Sequence, residues 1–254
     1  YFAPGMVIPV VSSRGCYWSR CRFCDECRES YRMDAIENLS ERLVDLNHQY
    51  PGALFHFCDH AIPPEVLDLL SEHHLGNHWY GFVRASSKLT NLQFVEQLAA
   101  SGCKMLQIGF ESPVQNVLQK MNKGVQAGWF PEIIHNCREV GIRTYAYMMF
   151  GFPGQTKADC NAAVEFLEKN PPDYLNASIF RMPPGSPLSQ LITDNSSGKA
   201  RDDDSLYFKV ESEGFPLSEL RKWMTGTLQS SRLVRGIIKK TPRFYKSNHA
   251  VFIG

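Results

Sequence analysis

Short apolar runs of strand length alternate along the chain with longer stretches whose apolar positions recur every three or four residues. The runs near Val7–Ser12, Ala53–Asp59, Trp79–Ala85, Met105–Gly109, Thr144–Gly151 and Tyr174–Phe180 predict β-strands. The stretches at Ala35–Gln49, Pro64–His74, Asn91–Ser101, Pro113–Met121, Pro131–Val140 and Lys157–Lys169 predict amphipathic helices. Such a rhythm builds a parallel sheet, because each helix carries the chain back to begin the next strand beside the last. Six units are fewer than the eight that close a full barrel. The expected fold is α/β, a partial (β/α)6 TIM-like barrel whose active face lies at the C-terminal ends of the strands.

Beyond residue 193 the texture changes. The segment DNSSGKARDDD, Asp194–Asp204, is polar and rich in turn formers and predicts a surface loop. After it, Leu220, Trp223, Met224, Leu228, Leu233 and Ile237 recur with helical spacing between Leu217 and Lys240, interrupted at Gly226. The expected organisation is a barrel over 1–193 and a C-terminal helical extension over 194–254 packed upon it. The tail residues Tyr245 and His249 are expected to cap or fill the open side of the barrel.

The chain has 254 residues, is 43% hydrophobic and carries a net charge of +1, from 27 basic and 26 acidic side chains. That length supports one large core, and that balance offers no electrostatic case for binding nucleic acid. No apolar run approaches the roughly 20 residues that span a bilayer, and the first residues lack the basic start of a signal peptide. Four of the eight cysteines crowd between Cys16 and Cys27, which is not the even scatter of a secreted disulfide framework. A reducing cytoplasm is the expected compartment. The other four, Cys58, Cys103, Cys137 and Cys160, are expected to be small buried hydrophobes.

Cys16, Cys21 and Cys24 fall within nine residues, directly after the first apolar run. Three soft thiolates on one strand-exit loop can hold three corners of a cubic iron–sulfur cluster and leave the fourth iron open to a small molecule. Two other readings compete. A structural zinc site would use the same thiolates but usually pairs two separated knuckles, and a closed electron-transfer cluster would need Cys27 as fourth ligand. His56 could be a satisfied core group, and Tyr145 and Tyr147 share one face of a strand, where packing is the plainer role and cavity lining the alternative.

The loop GCYWSRCRFC is followed in order by FHFCDHAIPP, GFVRAS, GCKMLQIGFES, MNKG and MMFGFPGQT. Together these resemble radical S-adenosylmethionine (SAM) enzymes from about Val7 to Ser186. The similarity is greatest to the cobalamin-type branch, including a GCYW-loop subgroup that contains peptide-modifying maturases. The resemblance implies a [4Fe–4S] cluster on Cys16, Cys21 and Cys24, with Cys27 in reserve, and an open iron that binds the amino and carboxylate groups of SAM. Phe23 would lie against the adenine. Asp59 would accept from the SAM amino group, Arg84 would pair with its carboxylate, and Gln107, Glu111 and Ser112 would serve the ribose side. His60 stands where the family often has a second acid. Gly151, Pro153 and Gly154 would let backbone approach the adenine, with Phe152 packed on the ring.

The implied activity is reductive cleavage of SAM to start radical chemistry at an unactivated carbon of a peptide or small molecule. Methylation is the leading transformation and peptide epimerisation the second. A cobalamin-binding domain would precede Tyr1, and an electron donor such as flavodoxin or ferredoxin would serve as partner. A tRNA-modifying methylthiotransferase-like activity is the alternative within the family, disfavoured by the near-neutral charge. The resemblance designates no catalytic residue.

Overall fold

The computed structural model describes residues 5–26, 29–190 and 215–241. Cys27, the Asp194–Asp204 loop, Tyr245 and His249 lie outside the described residues. Six parallel strands form one sheet in the order β1 (Val7–Val10), β4 (Leu54–Phe57), β5 (His78–Val83), β6 (Cys103–Glu111), β7 (Arg143–Phe150) and β8 (Tyr174–Ile179). Between them run α1 (Ile36–Gln49), α2 (Pro64–Glu72), α3 (Leu92–Ala100), α4 (Gln115–Lys120), α5 (Trp129–Glu139) and α6 (Lys157–Lys169). The sheet leaves β1 and β8 as its edges, so the α/β partial barrel stays open on one side.

Local chemistry accounts for the boundaries. Pro64 and Pro131 sit in the first turns of α2 and α5, where a missing N–H leaves no helical bond unmade. Thr156 and Asp159 close a capping box at the start of α6, and Asn91 caps α3 by accepting from Phe94 N. β6 runs longer than its apolar core predicts, to Glu111, because that acid is buried through a specific partner.

Side chains alternate along the strands between two cores. Phe55, Phe57, Trp79, Val83, Leu106, Ile108, Phe110, Ala146 and Phe150 face outward and join the helices in the main core. Tyr80, Met105 and Tyr145 face the lumen with Val7, Leu54, Tyr147 and Tyr174 around them. Two short strands escape prediction: β2 (Ser13–Arg14) and β3 (Arg32–Met33) pair antiparallel. Two-residue polar strands carry no periodicity to read.

Three further helices, α7 (Leu217–Thr225), α8 (Thr227–Ser230) and α9 (Arg232–Lys240), follow the barrel, with the break at Gly226. Trp223 packs on Phe150 of β7 with ring centroids 5.2 Å apart and donates from Nε1 to Asn161 of α6 at 2.8 Å. Thr241 Oγ1 accepts from Leu175 N of β8.

Candidate active site

The cysteine loop leaves β1 at the C-terminal end of the sheet and is bracketed by the β2–β3 clip. Gly15 makes the first turn with φ +71°, and a Cβ there would press on the carbonyls of Glu29 and Ser30. Asp59, at the exit of β4, is buried and fastens the start of this loop. Its Oδ1 accepts from Ser13 N and Oγ at 2.6 Å each and from Ser12 Oγ at 2.8 Å, while Oδ2 has one longer contact, with Ser12 N at 3.3 Å. His60, next along, pairs with Glu26 of the loop at 3.0 Å on the surface.

Arg84, at the end of β5, is 8% exposed and stands behind the cysteines. Its Nη1 lies 3.9 Å from Cys21 Sγ, its Nη2 donates to Lys123 O at 2.5 Å, and its guanidinium sits 4.5 Å from the Trp18 ring and 5.7 Å from that of Tyr17. Glu111 ends β6 at the centre of a three-residue turn, φ +60°, with Ser112 N donating to Phe110 O. Its Oε1 pairs with Lys123 Nζ at 2.8 Å, both side chains less than a tenth exposed. Gly109 makes room for this pair, since a Cβ there would lie 2.6 Å from Glu111 Oε1 and 2.8 Å from Lys123 Nζ. Lys123 Nζ also stands 5.5 Å over the Phe23 ring. Thus Cys21, Phe23, Arg84 and Glu111, read from three separate motifs, meet around one buried lysine.

Gln107 is 4% exposed on the lumen face of β6, and its Nε2 has no hydrogen-bond partner among the described residues. A buried donor left without an acceptor costs about 1–3 kcal/mol, so it is a group that an incoming acceptor would satisfy. Ser112 is fully buried and accepts from Val114 N. Phe23 joins Val117, Met121, Phe152 and Phe180 in an apolar patch under the loop. Pro153 and Gly154 lie in the turn after β7, with Gly154 O accepting from Lys120 Nζ at 3.0 Å. Gly151 has φ +82°, and the Cβ it lacks would run into Leu220 of α7.

The lumen below is ringed. Tyr145 lies 4.9 Å from Tyr147 and 6.0 Å from Tyr174, and Phe82 lies 5.2 Å from Tyr147. His56 stacks flat on Tyr80 at 4.4 Å, and burial lowers its pKa. Cys103, Cys137 and Cys160 are buried, as expected, but Cys58 is not. It is exposed on the lumen side of the β4 exit, 3.5 Å from His56 Nδ1, because β4 ends before it and its side chain clears the outer core.

Burial raises the thiol pKa of Cys21, against the pull of Lys123 and Arg84, and pushes that of Cys24 up to about 12. Both thiols therefore hold their protons until a metal displaces them. Among the described residues, the sulfurs of Cys16, Cys21 and Cys24 are not gathered within the 4.8 Å of one another that a single ion would require.

The chain belongs to the radical SAM superfamily, whose family model matches residues 10–167. Members of this superfamily use a [4Fe–4S] cluster and SAM. The chain is 24% identical over 208 residues to an uncharacterized methyltransferase of Pyrococcus horikoshii, covering 77% of this chain and 44% of that protein. It is 25% identical over 198 residues to the bacteriochlorophyllide d C-12(1)-methyltransferase of Chlorobaculum tepidum, covering 74% and 43%. It thus spans less than half the length of these curated relatives. Among solved structures, the radical SAM methyltransferase TsrM of Kitasatospora setae, determined with cobalamin and a [4Fe–4S] cluster bound, matches with a TM-score of 0.64 at 19% identity. That match covers 74% of this chain and 39% of TsrM, and it establishes the shared fold.

Four contributors escape a reading of motifs one at a time. Lys123 was visible only as a letter of MNKG, Ser12 as the end of a strand and Ser13 as the residue after it. Trp18 was visible as a ring of unknown direction. Their roles depend on contacts across 12 to 104 residues of chain, which spacing does not encode.

Proposed function

We propose that this chain is the radical SAM barrel of a cobalamin-type methyltransferase acting on an unactivated carbon of a small molecule or peptide. The observation that carries the proposal is the three-cysteine loop at the strand ends with two buried cations, Arg84 and Lys123, turned toward it. Cys16, Cys21 and Cys24 would hold the cluster, whose chemistry when bound with SAM is one-electron reductive cleavage of a carbon–sulfur bond.

The protein's part is to bind and orient. Arg84 and Lys123 place positive charge beside the thiolates and beside the carboxylate expected there. Glu111 Oε1 is held by Lys123, and its carboxylate would accept from the ribose hydroxyls of SAM. Gln107 Nε2 offers a donor with no partner among the described residues. The printed activities of the relatives and the cobalamin in TsrM support methylation, with cobalamin held by a domain upstream of Tyr1. An electron donor such as flavodoxin or ferredoxin would supply the reductant.

Cys58 favours a second reading, peptide epimerisation. An exposed thiol on the lumen wall can return a hydrogen atom to a substrate carbon radical. The sulfur radical so formed would be restored by one electron from the same reductant and a proton from water. Deuterium from heavy water retained at the product carbon in wild type, and lost in Cys58→Ala, would select that outcome over methylation.

The primary test is anaerobic reconstitution with iron and sulfide, reduction with SAM present, and assay for 5′-deoxyadenosine. A brown wild type that cleaves SAM, beside an inert colourless variant lacking Cys16, Cys21 and Cys24, is the expected result. A colourless wild type that keeps zinc and never cleaves SAM would sink the proposal.

A further inference from the structure

The turn at 121–124 touches the cysteine loop through each of its four residues. Met121 O accepts from Arg22 N at 2.9 Å. Asn122 O accepts from Trp18 Nε1 at 2.9 Å, and Asn122 Nδ2 donates to Arg20 O at 2.8 Å. Lys123 sets its ammonium over Phe23, and its carbonyl holds Arg84, which itself reaches Cys21 and Trp18. Gly124 lies under the Trp18 indole so closely that a Cβ there would fall within the ring.

The grip is therefore distributed over Trp18, Arg20, Arg22 and Phe23, positions interleaved with Cys16, Cys21 and Cys24. The turn has the chemistry to hold that shape. Asn122 at φ +52° and Gly124 at φ +68° occupy the left-handed region, which asparagine and glycine enter at the least cost. All of these partners are protein groups, so the grip exists without metal.

We propose that the Met121–Gly124 turn is a clasp that holds the cysteine loop in its ligating shape before iron and sulfide enter. Its residues are positioning residues, acting on the cluster through the loop. The inference rests on reading the loop as a cluster site, but its first test does not use the cluster.

In metal-free protein, amide hydrogen exchange over residues 16–24 reports opening of the loop. Asn122→Gly keeps the left-handed turn and removes only the bond to Arg20. Losing one neutral hydrogen bond corresponds to exchange about 2- to 12-fold faster across the loop. Gly124→Ala, which evicts the indole, should accelerate it more. Amides of β6 and α6 should keep their wild-type rates in Asn122→Gly, a substitution mild enough to fold if Gly124→Ala does not. Unchanged exchange at 16–24 in Asn122→Gly, or acceleration spread equally over the barrel, would overturn the clasp.

The second measurement is release of iron to a chelator from reconstituted protein, expected to be faster in Asn122→Gly by a similar factor. Equal release rates would overturn the link to the cluster. Failure of wild type to take up iron would overturn the cluster reading while leaving the exchange result to decide the clasp.

Discussion

Glu111 and Lys123 show how much of this site is held by a few costly local choices. A glutamate at φ +60°, a buried carboxylate and a buried ammonium are each unfavourable alone. Together, with Gly109 giving way beneath them, they neutralise one another. Removing one partner of such a pair strands the other, which costs about 3–5 kcal/mol. Glu111→Gln should therefore lower the urea midpoint of the metal-free protein markedly, and adding Lys123→Met to it should recover part of the loss. If the double variant is as unstable as the sum of the singles, the two groups are not coupled.

His56 gives a pH signature. Burial depresses its pKa below the ordinary 6.5, so below that pH the unfolded chain binds a proton that the folded one resists. The contribution is constant above pH 6.5 and stability falls as pH drops beneath it. The melting temperature of wild type should decline more steeply between about pH 7 and pH 5.5 than that of His56→Gln; parallel curves would mean the imidazole titrates freely. At this scale the sequence was a partial guide. Arg84 and Glu111 stood out because their strands end in recognisable motifs, whereas the orphaned Gln107 amide and the tie of Asp59 to Ser12 and Ser13 depend on the third dimension.

The elements were more legible than the residues because each strand and helix announces itself through local periodicity. All six major strands and the six barrel helices fall where the apolar pattern puts them, with ends displaced by a few residues. The displacement has physical causes: Pro131 lies inside α5 instead of opening it, and β6 extends to a buried acid. The β2–β3 clip was illegible, since its pairing partner lies beyond the whole cysteine loop. The C-terminal helices were legible as helices expected to pack on the barrel, but the contacts that dock them were not. Trp223 is 3% exposed, packed at a tilt on Phe150 and hydrogen-bonded to Asn161. Trp223→Ala should cost about 3–5 kcal/mol in urea unfolding followed by circular dichroism, with one transition retained. Two separated transitions would mean that α7–α9 unfold as a unit of their own.

For the molecule as a whole, shape and charge constrain what can approach the open face. The sheet ends at β1 and β8 without closing, and among the described residues no helix is long and apolar enough to cross a membrane. Basic and acidic side chains number 27 and 26. An enzyme that grips tRNA neutralises several phosphates with Lys and Arg, and its affinity falls steeply with salt for that reason. This chain has no overall surplus to spend on such contacts.

The local exception is α9, where Arg232, Arg235, Lys239 and Lys240 share one short helix whose Val234 and Ile237 are buried. Four charges on one short helix can attract a polyanion at low salt without orienting it. We therefore expect fluorescence anisotropy with unmodified tRNA to show weak binding at low ionic strength that vanishes at physiological salt. Replacing the four α9 cations by Gln should abolish the low-salt signal without altering SAM cleavage. Saturable micromolar binding that survives physiological salt would reverse the substrate argument. It would put a tRNA-modifying activity ahead of methylation of a small molecule or peptide.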